Sequence, residues 1–306
     1  MKKRIGIIFS EIHPLLKVME EEILKQDVEC EFVHWQTLAY SNSPAPNPVC
    51  PTLAGFGVVY IDRLGEGTVS YLTQILLLQQ AEEVNCHIIN RPLSYLNARD
   101  KTLSSSVLRR EKIEQPITYI CSNIDSVLSA ILAGSEKMIV KSCQGFSANE
   151  VKAFYKTKPP ITYIKFLLDR DQMVLIQEFI SSDENSIWRI DIVDQTIIVA
   201  NRRYAYETDD FPIANGSHGG HVEFFDPKKL PSEVANLALK TARVFNLDVC
   251  GVDILPTTDG KLLVLEANPE PDITLDRYEF PCAIAQCLIK RLEKGETRKD
   301  VICASN

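Results

Sequence analysis

Gly251-Val252-Asp253-Ile254-Leu255, a turn through Thr257-Thr258-Asp259-Gly260, and then Leu262-Leu263-Val264-Leu265-Glu266-Ala267-Asn268-Pro269 make up the stretch that decides how this chain is read. Two apolar runs of strand length joined by an Asp-Gly turn are a strong local signal for a β-hairpin. Each run carries oxygen-bearing side chains where its apolar pattern should exclude them: Asp253 on the first, Glu266 and Asn268 on the second. Side chains alternate along a strand, so Glu266 and Asn268 share a face, and the hairpin can lay Asp253 across from them. A solvated surface hairpin is the plainer alternative, but an unpaired charge inside a Val-Ile-Leu run is expensive. The cluster holds hard oxygen donors with too few charges to satisfy itself, as a magnesium ion shared with a nucleotide phosphate requires.

At 306 residues the chain exceeds the usual size of one domain, which predicts two or three subdomains. Apolar residues make up 45% and charged residues 24%, ample for a core. A net charge of -8 argues against nucleic-acid binding through a basic surface. Nine cysteines are scattered without a Cys-x-x-Cys pair, a pattern of reduced thiols in a cytosol. The apolar stretch after Met1-Lys2-Lys3-Arg4 ends at Ser10-Glu11, which fits a first strand better than a secretion signal. No apolar run approaches the roughly 20 residues of a membrane helix. The expectation is a cytoplasmic protein with neither membrane nor nucleic acid as a partner.

Strand-like and helical patterns alternate from the start. Ile5 to Phe9, Val28 to Trp35, Gly57 to Ile61 and His87 to Asn90 read as strands, with helices at Pro14 to Lys25 and Thr68 to Glu83. Ser41 to Thr52 holds four prolines and reads as a loop. This βαβ rhythm predicts a parallel sheet covered by helices on both faces, placed at about residues 1–95. A small α+β unit follows over 96–180, with a helix at Ala98 to Arg110 and strands at Ile117 to Cys121, Lys137 to Lys141 and Met173 to Ile180. A helix between the first two of these strands can be capped by Asn123 or Asp125. Residues 181–306 add strands at Ile187 to Val193 and Thr196 to Asn201, a helix at Ser232 to Phe245, the hairpin, and a closing helix from Arg277 to Glu293.

Further residues carry chemistry by type and position. Lys141 ends an apolar strand and enters the small polar loop Ser142 to Asn149, which includes Ser147; such a loop can offer backbone N–H groups to a phosphate while the lysine adds a point charge. An exposed lysine beside an ordinary loop is the plainer reading, and Lys101, at a helix start, carries a weaker signal still. Gln177-Glu178-Phe179-Ile180 ends a strand with free backbone groups able to pair with an adenine amino group and N1. Arg189 and Arg203 lie on consecutive strands, where arginines can stabilise developing phosphoryl charge, although a solvated strand face is an equal alternative. Asn215-Gly216-Ser217-His218-Gly219-Gly220-His221 is a glycine-rich loop able to close over phosphates, and its two histidines lack a third zinc ligand nearby.

Taken in order, these pieces resemble the ATP-grasp superfamily, and within it the ribosomal-protein glutamate ligases and glutathione synthetase-like carboxylate–amine ligases. The resemblance rests on Val59 to Gly65, Asn97 to Lys101, Pro116 to Tyr119, Ile139-Val140-Lys141, Gln177 to Ile180, Arg202-Arg203, Gly251-Val252-Asp253 and Glu266-Ala267-Asn268-Pro269. It implies an α/β ATP-grasp fold: an N-terminal parallel α/β domain, a central α+β subdomain and a C-terminal α+β subdomain, with ATP between the last two. It implies Asp253, Glu266 and Asn268 as magnesium ligands, Lys101 and Lys141 as phosphate contacts, and Glu178 and Phe179 at the adenine hinge. Arg203 and Asn215 correspond to residues near the phosphates and the acyl substrate. Two positions depart from the pattern. Ala148 and Glu150 stand where the lid loop carries glycines, and Ile187-Trp188-Arg189 replaces an acid-x-Arg, which moves the ribose contact to Glu184 or Asp183.

The activity so implied is an ATP-dependent carboxylate–amine ligase. It forms an amide through an acyl phosphate, with ATP and Mg2+ (or Mn2+) as cofactors, and adds glutamate or another amino acid to a peptide or small metabolite. A homo-oligomer is the expectation from relatives. Two alternatives stand beside it: an ATP-grasp kinase acting on a hydroxyl, and a nucleotide-binding module without turnover.

Overall fold

The computed structural model describes residues 4–38, 53, 55–64, 71–83, 86–143, 150–205, 211–212, 221–271 and 277–295. The expected proline-rich loop at Ser41 to Thr52 lies outside them. The first sheet has four parallel strands, β1 (Arg4–Phe9), β2 (Glu29–His34), β3 (Val58–Ile61) and β4 (His87–Ile89), in the order β2-β1-β3-β4. Ile5 and Ile7 turn to one face, against α1 (Pro14–Leu24) and the last helix, α8 (Glu279–Lys294). Ile8, Val59 and Ile61 turn to the other, against α2 (Tyr71–Glu83) and α3 (Pro92–Arg99). Cover on both faces explains why β1 and β3, the inner strands, are buried almost throughout, whereas the edge strand β2 exposes Glu29 and Glu31. The expected border at residue 95 falls inside α3.

The helix expected over Ala98 to Arg110 corresponds to α4 (Lys101–Arg110), and only Ala98 and Arg99 of the expected span belong to α3 before it. Asp100 breaks them: its backbone is extended, and its carboxylate caps α4 by accepting the amides of Thr102 (2.8 Å) and Leu103 (3.0 Å). An aspartate favours such a cap over a helix interior because it bonds the orphan N–H groups of the first turn.

The central sheet has the order β5-β8-β6-β7, all antiparallel, from β5 (Thr118–Cys121), β6 (Lys137–Ser142), β7 (Val151–Tyr155) and β8 (Val174–Glu178). Met138, Val140, Val174 and Ile176 face α5 (Ile124–Ala133) and α6 (Ile161–Asp171). Lys137, Ile139, Lys141, Leu175 and Gln177, at the alternate positions, turn to the opposite face. Asn123 caps α5 as expected.

The third sheet, order β11-β10-β9-β12-β13, contains β9 (Ser186–Val193), β10 (Thr196–Tyr204), β11 (Val222–Phe225), β12 (Val249–Pro256) and β13 (Leu262–Asn268). Trp188, Ile190, Val252, Ile254, Val264 and Ala267 pack on one face, in the same core as α7 (Ser232–Phe245). Val264 and Ala267 are three residues apart yet share that core, because the pairing of β12 with β13 shifts register beyond Asp253. A bulge of this kind resets the alternation.

α8 lies in a core that draws Val193, Val199 and Val249 from the third sheet together with Ile5 and Val58 from the first. Asn90, fully buried, stitches the same junction: its Oδ1 accepts the amides of Asp248 and Val249 (2.9 Å each), and its Nδ2 donates to the carbonyls of Val249 (2.7 Å) and Pro269 (3.2 Å). β7, α6 and β11 are elements that the sequence patterns did not reveal. Among the described residues, no helix is long and apolar enough to cross a membrane.

Candidate active site

The face of the third sheet opposite α7 carries a row of polar cross-strand neighbours. Asn201 pairs with Arg189, Arg189 with Asp253, and Asp253 with Glu266, running across β10, β9, β12 and β13. One step along, Asp191, Gly251 and Asn268 form a second row. Directly opposed residues share a face and have Cβ atoms about 5 Å apart, so Asp253, Glu266 and Asn268 converge as expected. Burial, and then the neighbouring Asp253 charge, pushes the Glu266 carboxyl up, against the pull of Lys101, Arg189 and Lys141. Two carboxylates and an amide on one edge are a donor set that a divalent cation fits. Asn268 Oδ1 also accepts the Glu270 amide at 2.9 Å, which orients its side-chain oxygen.

Lys101 and Lys141 reach this edge from separate segments. Lys101 opens α4, and its amide donates to the Cys143 carbonyl at 3.2 Å, which ties the helix start to the end of β6. Burial brings the Lys141 ammonium down to about 8; Lys101 pushes the same way, and Glu266 and Asp253 oppose it. A lysine held among opposed charges at low dielectric is a poised anion receptor.

Arg189 departs from expectation. Its side chain is 2% exposed and turned into the sheet: Nε donates to Asp191 at 2.7 Å, and Nη1 approaches the two Asp253 oxygens at 3.2 and 3.4 Å. It faces carboxylates of its own chain. The acidic cluster is therefore already balanced by cations, which corrects the expectation of donors with too few charges. Arg203 lies two residues from Asn201 on β10, half-buried, with Nε donating to Asn201 Oδ1 at 3.3 Å.

The strand end at Gln177 to Ile180 is less open than expected. The Glu178 amide donates to the Ile117 carbonyl and the Phe179 amide to the Lys137 carbonyl, both at 3.0 Å. The Ile117 amide goes to Glu178 Oε1 (2.8 Å), the donor that a continued ladder would hand to the Glu178 carbonyl. Gln177 is buried and donates to Thr118 Oγ1 at 2.7 Å. Phe179 packs edge-on against Phe211 with ring centroids 5.3 Å apart, and the Lys137 ammonium lies 5.9 and 5.3 Å from those two rings.

Glu184 and Asp183, the two acids expected near the ribose, are both paired with Arg202, at 2.8 and 3.0 Å. The Arg202 guanidinium carbon lies 5.5 Å from the Trp188 ring centroid and 5.4 Å from that of Tyr204, and its Nε donates to Ser186 Oγ. His221 stacks on Tyr204. Ser147, Asn215 and His218 lie outside the described residues. The seven described cysteines are unbridged, and burial raises the Cys143 thiol to about 12, so none reads as a nucleophile.

Three residues escaped the sequence reading. Asp191 carries the same signal as Asp253, an acid between β-branched apolar residues, and burial raises its carboxyl. Glu270 accepts from Arg99 Nη1 (2.5 Å) and from the Leu64 amide (3.1 Å), joining the first sheet to the end of β13. Glu270 has no local sequence pattern that marks it, and Arg99 lies inside the Asn97 to Lys101 stretch, where only Lys101 carries an implied role.

The RimK-like ATP-grasp domain matches residues 98–292, which include every one of these site residues. The chain belongs to the RimK-like ATP-grasp family. A probable alpha-L-glutamate ligase of Thioalkalivibrio sulfidiphilus is 30% identical over 223 residues, 72% of this chain and 71% of its own. Another from Histophilus somni is 28% identical over 228 residues, 74% of each chain. Among solved structures, the RimK domain protein ATP-grasp from Sphaerobacter thermophilus superposes with a TM-score of 0.67 at 18% identity, covering 93% of this chain and 99% of its own. D-cycloserine synthetase DcsG gives 0.71 at 15% identity, over 94% and 99%. The ATP-grasp ligase PsnB, solved with a phosphomimetic precursor, Mg and ADP, gives 0.68 at 17% identity, over 94% and 98%. These likenesses establish the ATP-grasp fold, and family membership brings ATP-dependent C–N ligation with it.

Proposed function

We propose that this chain joins a carboxylate to an amine through an acyl phosphate. One observation carries the reading: Arg189, Asp253 and Glu266 are directly opposed across three strands, and Lys101 and Lys141, from two further elements, bring their charges to bear on the same carboxylates. Lys101 and Lys141 hold the nucleotide phosphates as point charges. Asp253, Glu266 and Asn268 hold Mg2+, for which Mn2+ substitutes. When bound, the cation would supply positive charge against that of the nucleotide phosphates. The Glu178 carbonyl and the Ile180 amide take the adenine amino group and N1, and Phe179 packs the ring. Glu184 meets the ribose while keeping its pair with Arg202.

A substrate carboxylate oxygen attacks the γ-phosphorus, the bond to the bridging oxygen breaks, and ADP leaves. Arg203 faces the charge that develops on the transferring group. The amine then attacks the acyl carbon, the carbon–oxygen bond to phosphate breaks, and the amine proton passes to solvent. Much of the work is positioning, because the phosphate already supplies the leaving group that a free carboxylate lacks. The glutamate-ligase relatives support an amino acid, glutamate foremost, as the amine, and a peptide or small metabolite as the acid; a homo-oligomer is the assembly we infer. Transfer of 18O from labelled substrate carboxylate into phosphate tests the route. Phosphate free of label would exclude it, and a stable phosphorylated product formed without amine would mark a kinase.

A further inference from the structure

Asp253 does not face the cleft with its charge unanswered. The Arg189 guanidinium spans Asp191 and Asp253, and it lies so close over Gly251 that a Cβ there would come within 2.1 Å of Nη2. Any residue but glycine at 251 would fill the space it occupies. The local charges are Asp191, Asp253 and Glu266 against Arg189, Lys101 and Lys141, three of each sign, and Arg203 near Asp191 adds a further cation. A protein cage that holds Mg2+ unaided needs surplus anionic oxygen. Taking a dication out of water into a balanced cage is not repaid by attraction. The polyphosphate of a nucleotide supplies the missing negative charge.

We propose that Arg189 is a built-in counter-charge: it orients Asp253 and keeps the cation site closed to free divalent ions until a nucleotide polyphosphate arrives. Arg189 is thus a positioning residue, acting through Asp253 and touching no substrate. The inference rests on the reading that Asp253, Glu266 and Asn268 receive the cation.

Mn2+ binding to the full chain, followed by electron paramagnetic resonance, tests it without turnover. Wild-type protein without nucleotide is expected to retain no Mn2+ at up to about 1 mM, and to bind it once ADP is present. Arg189→Gln should raise nucleotide-free Mn2+ affinity at least about tenfold, because a positive charge a few ångströms from the ion is gone. Arg189→Lys, which keeps that charge, should stay near wild type. If Arg189→Gln fails to fold around an unpaired Asp191, the double variant Arg189→Gln/Asp191→Asn frees Asp253 without stranding a buried acid, and the same gain is expected. Equal Mn2+ binding by the wild type with and without ADP would overturn the counter-charge role alone. So would an Arg189→Gln or double variant no tighter than wild type. No Mn2+ binding even with ADP would overturn the cation-site assignment beneath it.

Discussion

Replacing Gly251 with alanine should destabilise the chain far more than a glycine-to-alanine change in a strand normally does. The new Cβ would sit 2.1 Å from Arg189 Nη2, 2.2 Å from Cζ and 2.3 Å from Nε, where ordinary contact begins at 3.4 Å. Relief requires the guanidinium to move by about 1.3 Å, the difference between 3.4 and 2.1 Å. Such a shift stretches the 2.7 Å bond from Nε to Asp191, and the longer contacts to Asp253, beyond hydrogen-bonding range. Breaking a buried ion pair costs about 3–5 kcal/mol, since each partner is left charged at low dielectric. At roughly 2–4 °C per kcal/mol for a chain unit of this size, the Tm should fall by about 6–20 °C. Thermal unfolding followed by circular dichroism reads this out, using the first transition if the sheets unfold in steps. Gly260→Ala is the control. It has φ of +84° and no atom within 4 Å of its Cβ, so it carries only backbone strain of about 1–2 kcal/mol. A Gly251→Ala protein melting within 2 °C of wild type, or above Gly260→Ala, would refute the argument that the guanidinium has nowhere else to go.

Arg203→Ala should lower kcat by about 10²–10³ with little change in Tm, since the side chain is anchored by a long 3.3 Å hydrogen bond to Asn201. Steady-state ADP release with the melting temperature alongside checks both halves. Nucleotide affinity should fall as pH rises above about 8, where the Lys141 ammonium of the free protein gives up its proton. Phosphate favours the charged lysine, so binding takes up a proton there. Calorimetry in two buffers of different ionisation enthalpy should detect it, and Lys141→Arg should abolish it. The same lowered value means that the unfolded chain holds a proton the folded chain has lost, so this group makes the fold relatively more stable as pH rises from about 8 toward 10.5. Asn90→Ala removes four hydrogen bonds, three of them buried, and strands the amide of Val249, which should cost at least about 3 kcal/mol by chemical denaturation; a loss under 1 kcal/mol would mean the junction relaxes around the gap.

Residues whose role is local could be read in advance. The hairpin and its three oxygen donors, the βαβ start, the Asn123 cap and the α7 span all follow from alternation, turn chemistry and capping within a few residues. β7 and β11 were not legible, because only Phe154 of β7 is fully buried and none of β11 is, which leaves edge strands without a clean apolar alternation. α6 had a signal that went unused, Pro159-Pro160 ahead of Ile161, Ile164 and Leu167. The break at Asp100 lay hidden in a helical pattern that continues on both sides of it.

Residue types and their order along the chain were enough to mark Asp253, Glu266, Asn268, Lys101 and Lys141 as one chemical set and to place them in a family. They were not enough to say what Arg189 does. An arginine in an apolar strand reads equally as a phosphate contact or a surface charge. The choice was made by strand order, which sets β9 beside β12 and puts Arg189 against Asp253 across an empty Cβ position. Pairing between distant strands is a property of the folded sheet, where a carboxylate 3.2 Å away in space is 64 residues away in the chain.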